Sequence, residues 1–311
     1  MGPDLSTRIG SVALPNPVMT ASGTAGHGAE LGAFGPLAGL GAVVVKSLGP
    51  EPWPGNPAPR VHEVAAGMLN SVGLQGPGVA AWLDEELPGL AAAGARVVAS
   101  IWGRRVDDFA AAAANLAGGP RATAGSGGLV AVEVNVSCPN IEDRSRMFAH
   151  SPAATAEAVD AAAAAGLPRW AKLSPNVADL REIARAALDA GAEAVTLVNT
   201  LLGLAIDTET RRPVLGAGGG GLSGPAVHPV AVRAVWECRE AFPDAGIVGV
   251  GGVFGADDAV ELLLAGADAV QVGTATFRDP RAPWKVLDGL GRWCRRHRVA
   301  AVRELIGGAH G

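Results

Sequence analysis

"RWAKLSPNVADLREIARAALDAGAEAVTLVNT", Arg169 to Thr200, holds one complete unit of the fold. Its two ends, "RWAKLS" (169–174) and "AVTLVNT" (194–200), are short apolar runs. Each is too short for a helix and too uniformly apolar for a half-exposed strand, which is how a buried parallel strand reads. Between them, "NVADLREIARAALDAGA" has a cap, an apolar stripe at helical spacing and then glycine. Strand, helix, strand is the unit that joins parallel neighbours.

The same grammar runs outward in both directions. Upstream stand "PVMTA" (17–21), "AVVVKS" (42–47), "RVVASI" (96–101) and "VAVEVNVS" (130–137); downstream stand "GIVGVGG" (246–252) and "AVQVGT" (269–274). "SPAATAEAVDAAAAAGL" opens on a Ser151 cap with Pro152 in the first helical position and closes at Gly166, and "GADDAVELLLAGADA" repeats the pattern. Eight such strands predict an α/β fold, a (β/α)8 TIM barrel, as a single domain over residues 1–311. The alternative, an open doubly wound sheet, needs a glycine fingerprint directly after its first strand, and none stands there. "GAGGGG" (216–221) matches that fingerprint formally but sits between "RRPVL" and "LSGPAVHP", so it is read as a flexible loop tip.

Composition narrows the function classes. Hydrophobic residues make up 49% and charged residues 18%, which supports a large core and excludes disorder. Net charge is −5, and the densest basic run, "RWCRRHR", reads as a solvated helix end, so no nucleic-acid partner is expected. No apolar run reaches 18 residues and "MGPDLSTRIG" lacks signal-peptide character, so a soluble, cytoplasmic protein with no membrane contact is expected. Cys138, Cys238 and Cys294 are few and far apart, with no Cys-x-x-Cys pair. That speaks against a disulfide framework, a zinc site or an iron–sulfur cluster within this chain, and it fits a reducing compartment.

In such barrels the active site lies at the C-terminal ends of the strands. The residues there are Ser22-Gly23, Lys46-Ser47, Ser100, Asn135 to Cys138, Lys172 to Ser174, Asn199-Thr200, Gly251-Gly252 and Gly273-Thr274. The glycines after the last two strands leave backbone N–H groups open to a phosphate, which outweighs their reading as mere tight turns. Lys172 sits inside "WAKLSP", a stretch with no other charge, so it is expected to meet an anion. It reads either as a charge partner for a cofactor or as a Schiff-base lysine. Lys46 raises the same choice, with a solvated strand end as the plainer reading. Cys138 lies past its strand, before Pro139, in a polar loop. It is either an inert small hydrophobe or a thiolate base at the barrel mouth. Cys238 and Cys294 read as structural.

"GMLNSVGLQGPG", "NVSCPN", "KLSPNV", "NTLLGLAID", "GGLSGPA" and "VQVGTATF", in this order, together resemble class 1 dihydroorotate dehydrogenase from "NPVMTASGT" to about residue 290. "GNPAPRVHE" and "NTLLGLAIDTETRRPVL" look most like the catalytic subunit of the NAD-linked subclass, class 1B. The resemblance implies an FMN-containing barrel that oxidises dihydroorotate to orotate in pyrimidine synthesis. Cys138 would then take the C5 proton while the C6 hydride passes to flavin N5. Asn70, Ser71, Val72, Gly73 and Leu74, with Asn135, Asn140, Asn199 and Thr200, would hold the substrate, whose ring offers alternating donors and acceptors to amides. Lys46 would serve both flavin and substrate, and Asn135 would also touch FMN. Lys172 would face the N1–O2 side of the flavin. Ser22, Ser47, Ser100, Val198, Gly224, Gly251, Gly252, Gly273 and Thr274 would line FMN.

Three positions depart from the family pattern. Gly76 stands where asparagine is usual, Ser100 replaces a flavin-touching asparagine, and "IEDRSRMFAH" after Cys138 lacks the small residues expected in the NAD-linked lid. The subclass implies a separate electron-transfer subunit carrying FAD and an iron–sulfur cluster, around a homodimer core within a heterotetramer. The fumarate-linked subclass would instead be a plain homodimer. Two other enzymes compete: a dihydropyrimidine dehydrogenase-like flavoprotein, which also uses a cysteine, and a Schiff-base lyase built on Lys172. Asn140 after Pro139 favours dihydroorotate over dihydropyrimidines.

Overall fold

The computed structural model describes residues 2–123, 126–137, 139–140 and 146–311, with only the backbone at Pro139, Asn140 and Arg146. Eight strands form one parallel sheet: β1 (Val18–Thr20), β2 (Val43–Val44), β3 (Arg96–Ile101), β4 (Gly128–Asn135), β5 (Arg169–Lys172), β6 (Ala194–Leu197), β7 (Gly246–Val250) and β8 (Ala269–Val272). Seven fall inside the runs read from sequence, and β4 overlaps its run at 130–137 but starts two residues earlier, at Gly128. They follow one another in chain order, β8 pairs in parallel with β1, and a parallel bridge from Met19 to Ala42 joins β1 to the edge of β2. The sheet therefore closes on itself as a (β/α)8 barrel, and the open-sheet alternative is set aside.

The helices form where capping chemistry starts them. The Ser151 hydroxyl accepts the Ala154 N–H at 3.3 Å to open the helix Pro152–Ala161, and Gly166, left-handed at φ 59°, ends the 3-10 turn that follows it. Asp179 caps Leu180–Asp189, whose Leu180, Ile183, Ala184 and Ala187 turn inward at helical spacing. These apolar faces pack on the outward residues of the strands, such as Val132 and Val134 on β4 and Ala171 on β5.

Strand alternation builds the interior in layers. Its floor takes one residue from each strand: Met19, Val44, Val98, Ala131, Trp170, Ala194, Val248 and Ala269, all buried and in one cluster. A hairpin of Thr7–Ile9 and Val12–Leu14 plugs this end with Ile9, Val12 and Leu14. Two residues further along, six of the eight strands change chemistry, while Ala21 and Val250 stay apolar. There stand Lys46, Ser100, Glu133, Lys172, Thr196 and Gln271, so the barrel is apolar at its base and charged half-way up.

Across the mouth lies a four-stranded antiparallel sheet, in the order Leu201–Gly203, Gly220–Ser223, Gly67–Asn70 and Val61–Val64. Its strands come from the segments after β2 and β6. The reading of 216–221 as a loop tip is corrected at its end only: 216–219 lie outside any strand, but Gly220 and Gly221 are strand residues. A Cβ on Gly221 would strike Thr200 Cβ at 2.6 Å, so glycine is required by close approach rather than by flexibility.

One structural anchor stands apart from the mouth. Arg239 donates to the Gly266, Pro243 and Ala245 carbonyls and to Asp268 Oδ2 at 3.0 Å, while Ile247 N–H donates to the same carboxylate at 2.7 Å. Burial raises the Asp268 carboxyl pKa and the Arg239 charge opposes that rise. Arg239→Ala is expected to destabilise the fold by about 3–5 kcal/mol, the usual loss when one partner of a buried ion pair goes. Urea unfolding measures it, and a loss below about 1 kcal/mol would show that water replaces the guanidinium.

Candidate active site

The strand ends and the covering sheet enclose a cavity of about 800 Å³, within the range of small-molecule and cofactor sites. Ser22, Lys46, Ser47, Asn70 to Leu74, Asn135, Lys172, Val198, Asn199, Thr200, Gly224, Gly251, Gly252, Gly273 and Thr274 all line it. Ser100 does not. It is fully buried behind Ser47, its hydroxyl 2.9 Å from Ser47 Oγ, because β3 directs it into the charged layer below the mouth. Ser100 thus reaches the cavity through Ser47. Cys138 lies outside the described residues, and so does the side chain of Asn140.

A hydrogen-bonded row crosses the mouth. Asn199 Nδ2 donates to Asn135 Oδ1 at 3.3 Å, Asn135 Nδ2 donates to Ser47 Oγ at 3.1 Å, and Ser22 Oγ lies 3.1 Å from Ser47 Oγ. Ser47 has one proton for Ser22 and Ser100, so the row fixes the amides' orientation whichever serine receives it. Above it, Asn70 Nδ2 donates to Gly221 O at 3.3 Å, a side-chain bond between two neighbouring strands of the covering sheet. Thr274 Oγ1 donates to Ser223 Oγ at 2.8 Å, closing the sheet onto the end of β8.

The glycines at the far end are pressed onto their neighbours. A Cβ on Gly252 would meet His228 Cβ at 2.6 Å, and one on Gly251 would meet Ala231 Cβ at 2.9 Å. Only a bare backbone fits between the cavity and the helix His228–Ala241. The His228 ring fixes that turn through Nδ1, 2.8 Å from the Gly251 carbonyl.

Two lysines reach the cavity from below. Lys46 Nζ would lie 3.7 Å from a Cβ on Gly23, and burial, then the nearby Arg60 charge, lower its pKa from the ordinary lysine range. Lys172 Nζ is 3.3 Å from Gln271 Oε1 and 3.9 Å from Glu133 Oε1. The anion expected near Lys172 is thus present within the protein, as Glu133. Sequence reading missed Glu133 and Gln271, although each is the only residue of its strand run with an acid or amide at the inward middle position. It also missed Asn176, whose amide braces Ser174 and the Thr200 carbonyl, while Ser137, expected at the strand end, is a buried hydroxyl on the cavity.

The lowered Lys46 pKa has a measurable sign. A lysine held below its usual range carries its charge at the expense of the fold. That penalty is fully present below its folded-state pKa and vanishes as pH rises to the unfolded value near ~10.4. Lys46→Met is therefore expected to raise the melting temperature of the ligand-free protein at neutral pH, with the gain shrinking toward pH ~10. Thermal unfolding at both pH values checks it; no gain at neutral pH would mean that the ammonium is fully hydrated.

The comparisons with known proteins point one way. The sequence model of the dihydroorotate dehydrogenase family matches residues 4–293. The chain belongs to the dihydroorotate dehydrogenase family. That family comprises flavin-dependent oxidoreductases that oxidise dihydroorotate in pyrimidine biosynthesis. A relative from Desulforudis audaxviator, named "Dihydroorotate dehydrogenase B (NAD(+)), catalytic subunit", is 48% identical over 97% of this chain and 96% of its own length. A protein of the same name from Trichlorobacter lovleyi is 43% identical over the full length of both chains. One from Solibacter usitatus, named "Putative dihydroorotate dehydrogenase A (fumarate)", is 45% identical over 99% of both. Among the described residues, no helix is long and apolar enough to cross a membrane.

Proposed function

We propose that this chain is one FMN-binding barrel domain over residues 1–311 that oxidises (S)-dihydroorotate to orotate in the cytoplasm. The observation that carries this is the cavity at the strand ends, where buried Lys172, half-buried Lys46, an amide row and bare glycine turns meet. The lining fits FMN. The turns at Gly251-Gly252 and Gly273-Thr274 leave backbone donors for a phosphate, and Gly224 and Ser22 flank them. Lys172, Lys46, Ser47, Asn135 and Val198 offer charge, donors and an apolar wall to a flavin ring.

Bound there, FMN would supply the hydride acceptor. The chain's residues do the rest. Asn70, Asn135, Asn199, Thr200 and the segment Ser71 to Leu74 would orient the ring acid, joined by Asn140. Ser71 Oγ and Ser137 Oγ are buried without a protein partner among the described residues, so they have hydrogen bonds to give. Lys46 would meet the substrate's negative charge. Cys138 would hold and remove the C5 proton. The Schiff-base and dihydropyrimidine alternatives lose their ground to the family match.

The purified chain is expected to bind FMN, turn yellow and bleach anaerobically with dihydroorotate. A colourless protein that cannot take up FMN, or one bleached by dihydrouracil alone, would defeat the reading. The words "catalytic subunit" in the B-type relatives' names support a separate partner subunit; in our reading that partner carries FAD and an iron–sulfur cluster and docks on a homodimer core. The Solibacter relative's name supports fumarate as the alternative oxidant. Adding fumarate, or NAD with the redox subunit, to the bleached protein decides between them.

A further inference from the structure

A fully buried carboxylate sits at the centre of the barrel. Glu133 lies on β4 between the floor residue Ala131 and the mouth residue Asn135, with no solvent exposure. Gln271 Nε2 donates to Glu133 Oε2 at 2.8 Å, and Gln271 Oε1 faces Lys172 Nζ at 3.3 Å. Chemistry fixes this amide's orientation. An ammonium only donates and a carboxylate accepts, so the glutamine must show oxygen to one and nitrogen to the other. Glu133 Oε1 makes no hydrogen bond among the described residues and lies 3.9 Å from Lys172 Nζ. A carboxylate desolvated this far, with one oxygen unbonded, is a poor stabiliser. The apolar floor one layer below shows that the barrel can be filled without it.

We propose that Glu133 is a positioning residue for the oxidation: through Gln271 it holds the Lys172 ammonium at the cavity and offsets its charge, and so sets how readily the flavin accepts electrons. This rests on the FMN reading. Two-electron reduction leaves negative charge on the flavin edge that the family resemblance assigns to Lys172. A lone ammonium there would favour reduction strongly. An ammonium backed by a carboxylate presents a dipole in place of a full charge, and the bias falls. The arrangement keeps Lys172 fixed while leaving the flavin able to pass its electrons on.

The test is the midpoint potential of the holoenzyme, read by equilibration with a redox dye. Glu133→Gln is expected to shift the reduction equilibrium toward the reduced form by about tenfold, which is about 30 mV for a two-electron couple. Glu133→Met removes the charge without leaving a buried amide to satisfy, and is expected to shift it in the same direction. Glu133→Asp keeps the charge and is expected to stay close to the parent value. A merely structural role would lower stability in all three and leave the potential alone. Charge-removing variants that hold FMN at an unchanged or lowered potential overturn the proposal. A parent protein that takes up no FMN overturns the flavin reading, and this one with it.

Discussion

Replacing Cys138 by alanine is expected to leave a protein that still binds FMN but is bleached by dihydroorotate on the order of 10²–10⁴-fold more slowly, the usual loss on removing a general base. The structure describes what leads up to it. Strand β4 ends at Asn135, whose Oδ1 accepts the Ser137 N–H at 3.1 Å, and Ser137 lines the cavity. The two described thiols cannot serve as the base. Burial pushes the Cys238 thiol up to about 12, and it also raises Cys294. Both sit on outer helices, packed in the shell around the strands. A base must release its proton near working pH, and a thiol held that high does not. Anaerobic stopped-flow bleaching measures the rate. The slope of rate against pH carries the finer information, because removing the base should flatten the limb that reports its titration. Parent-like bleaching in Cys138→Ala would sink the assignment. Loss of flavin from this variant would mean that the residue binds rather than reacts.

The barrel was readable in the sequence because each strand repeats the same local logic. An apolar run flanked by a capped helix needs no knowledge of its neighbours. The mouth was readable for a related reason: the ends of eight such runs must converge once the sheet closes, so Lys46, Asn135, Asn199 and Gly251 are brought together by topology alone. What stayed hidden depends on contacts across the barrel. Glu133 and Gln271 lie 138 residues apart, and Gln271 and Lys172 lie 99 apart. Read locally, Lys172 has no anion, and Glu133 is an interruption in a buried strand. Gly220 and Gly221 were missed for a different reason. Glycines carry no side-chain pattern, so nothing local marks them as a strand pressed against Asn70 and Thr200. Ser100 shares its layer with Lys46 and Lys172, whose long side chains reach the cavity directly while its own hydroxyl stops at Ser47.

Lys172→Ala is expected to have the largest effect on the fold and to abolish stable flavin retention. The side chains are almost wholly desolvated, 7% exposed for Lys172 and 0% for Glu133. Removing the lysine leaves Glu133 and the Gln271 carbonyl oxygen facing a void with no cation between them and the cavity. Breaking a buried pair in this way typically costs about 3–5 kcal/mol, far more than the pair itself contributes. Two consequences follow from one substitution, so they need separating. Lys172→Met combined with Glu133→Gln removes both charges and keeps most of the volume. That double variant is expected to regain most of the lost stability in urea, because no uncompensated charge remains. It is still expected to release FMN readily, because the positive charge toward the flavin is gone. Recovery of FMN affinity along with stability would show that Lys172 acts only by keeping the barrel intact. Failure to recover stability would instead show that the ammonium's packing, not its charge, supports the layer.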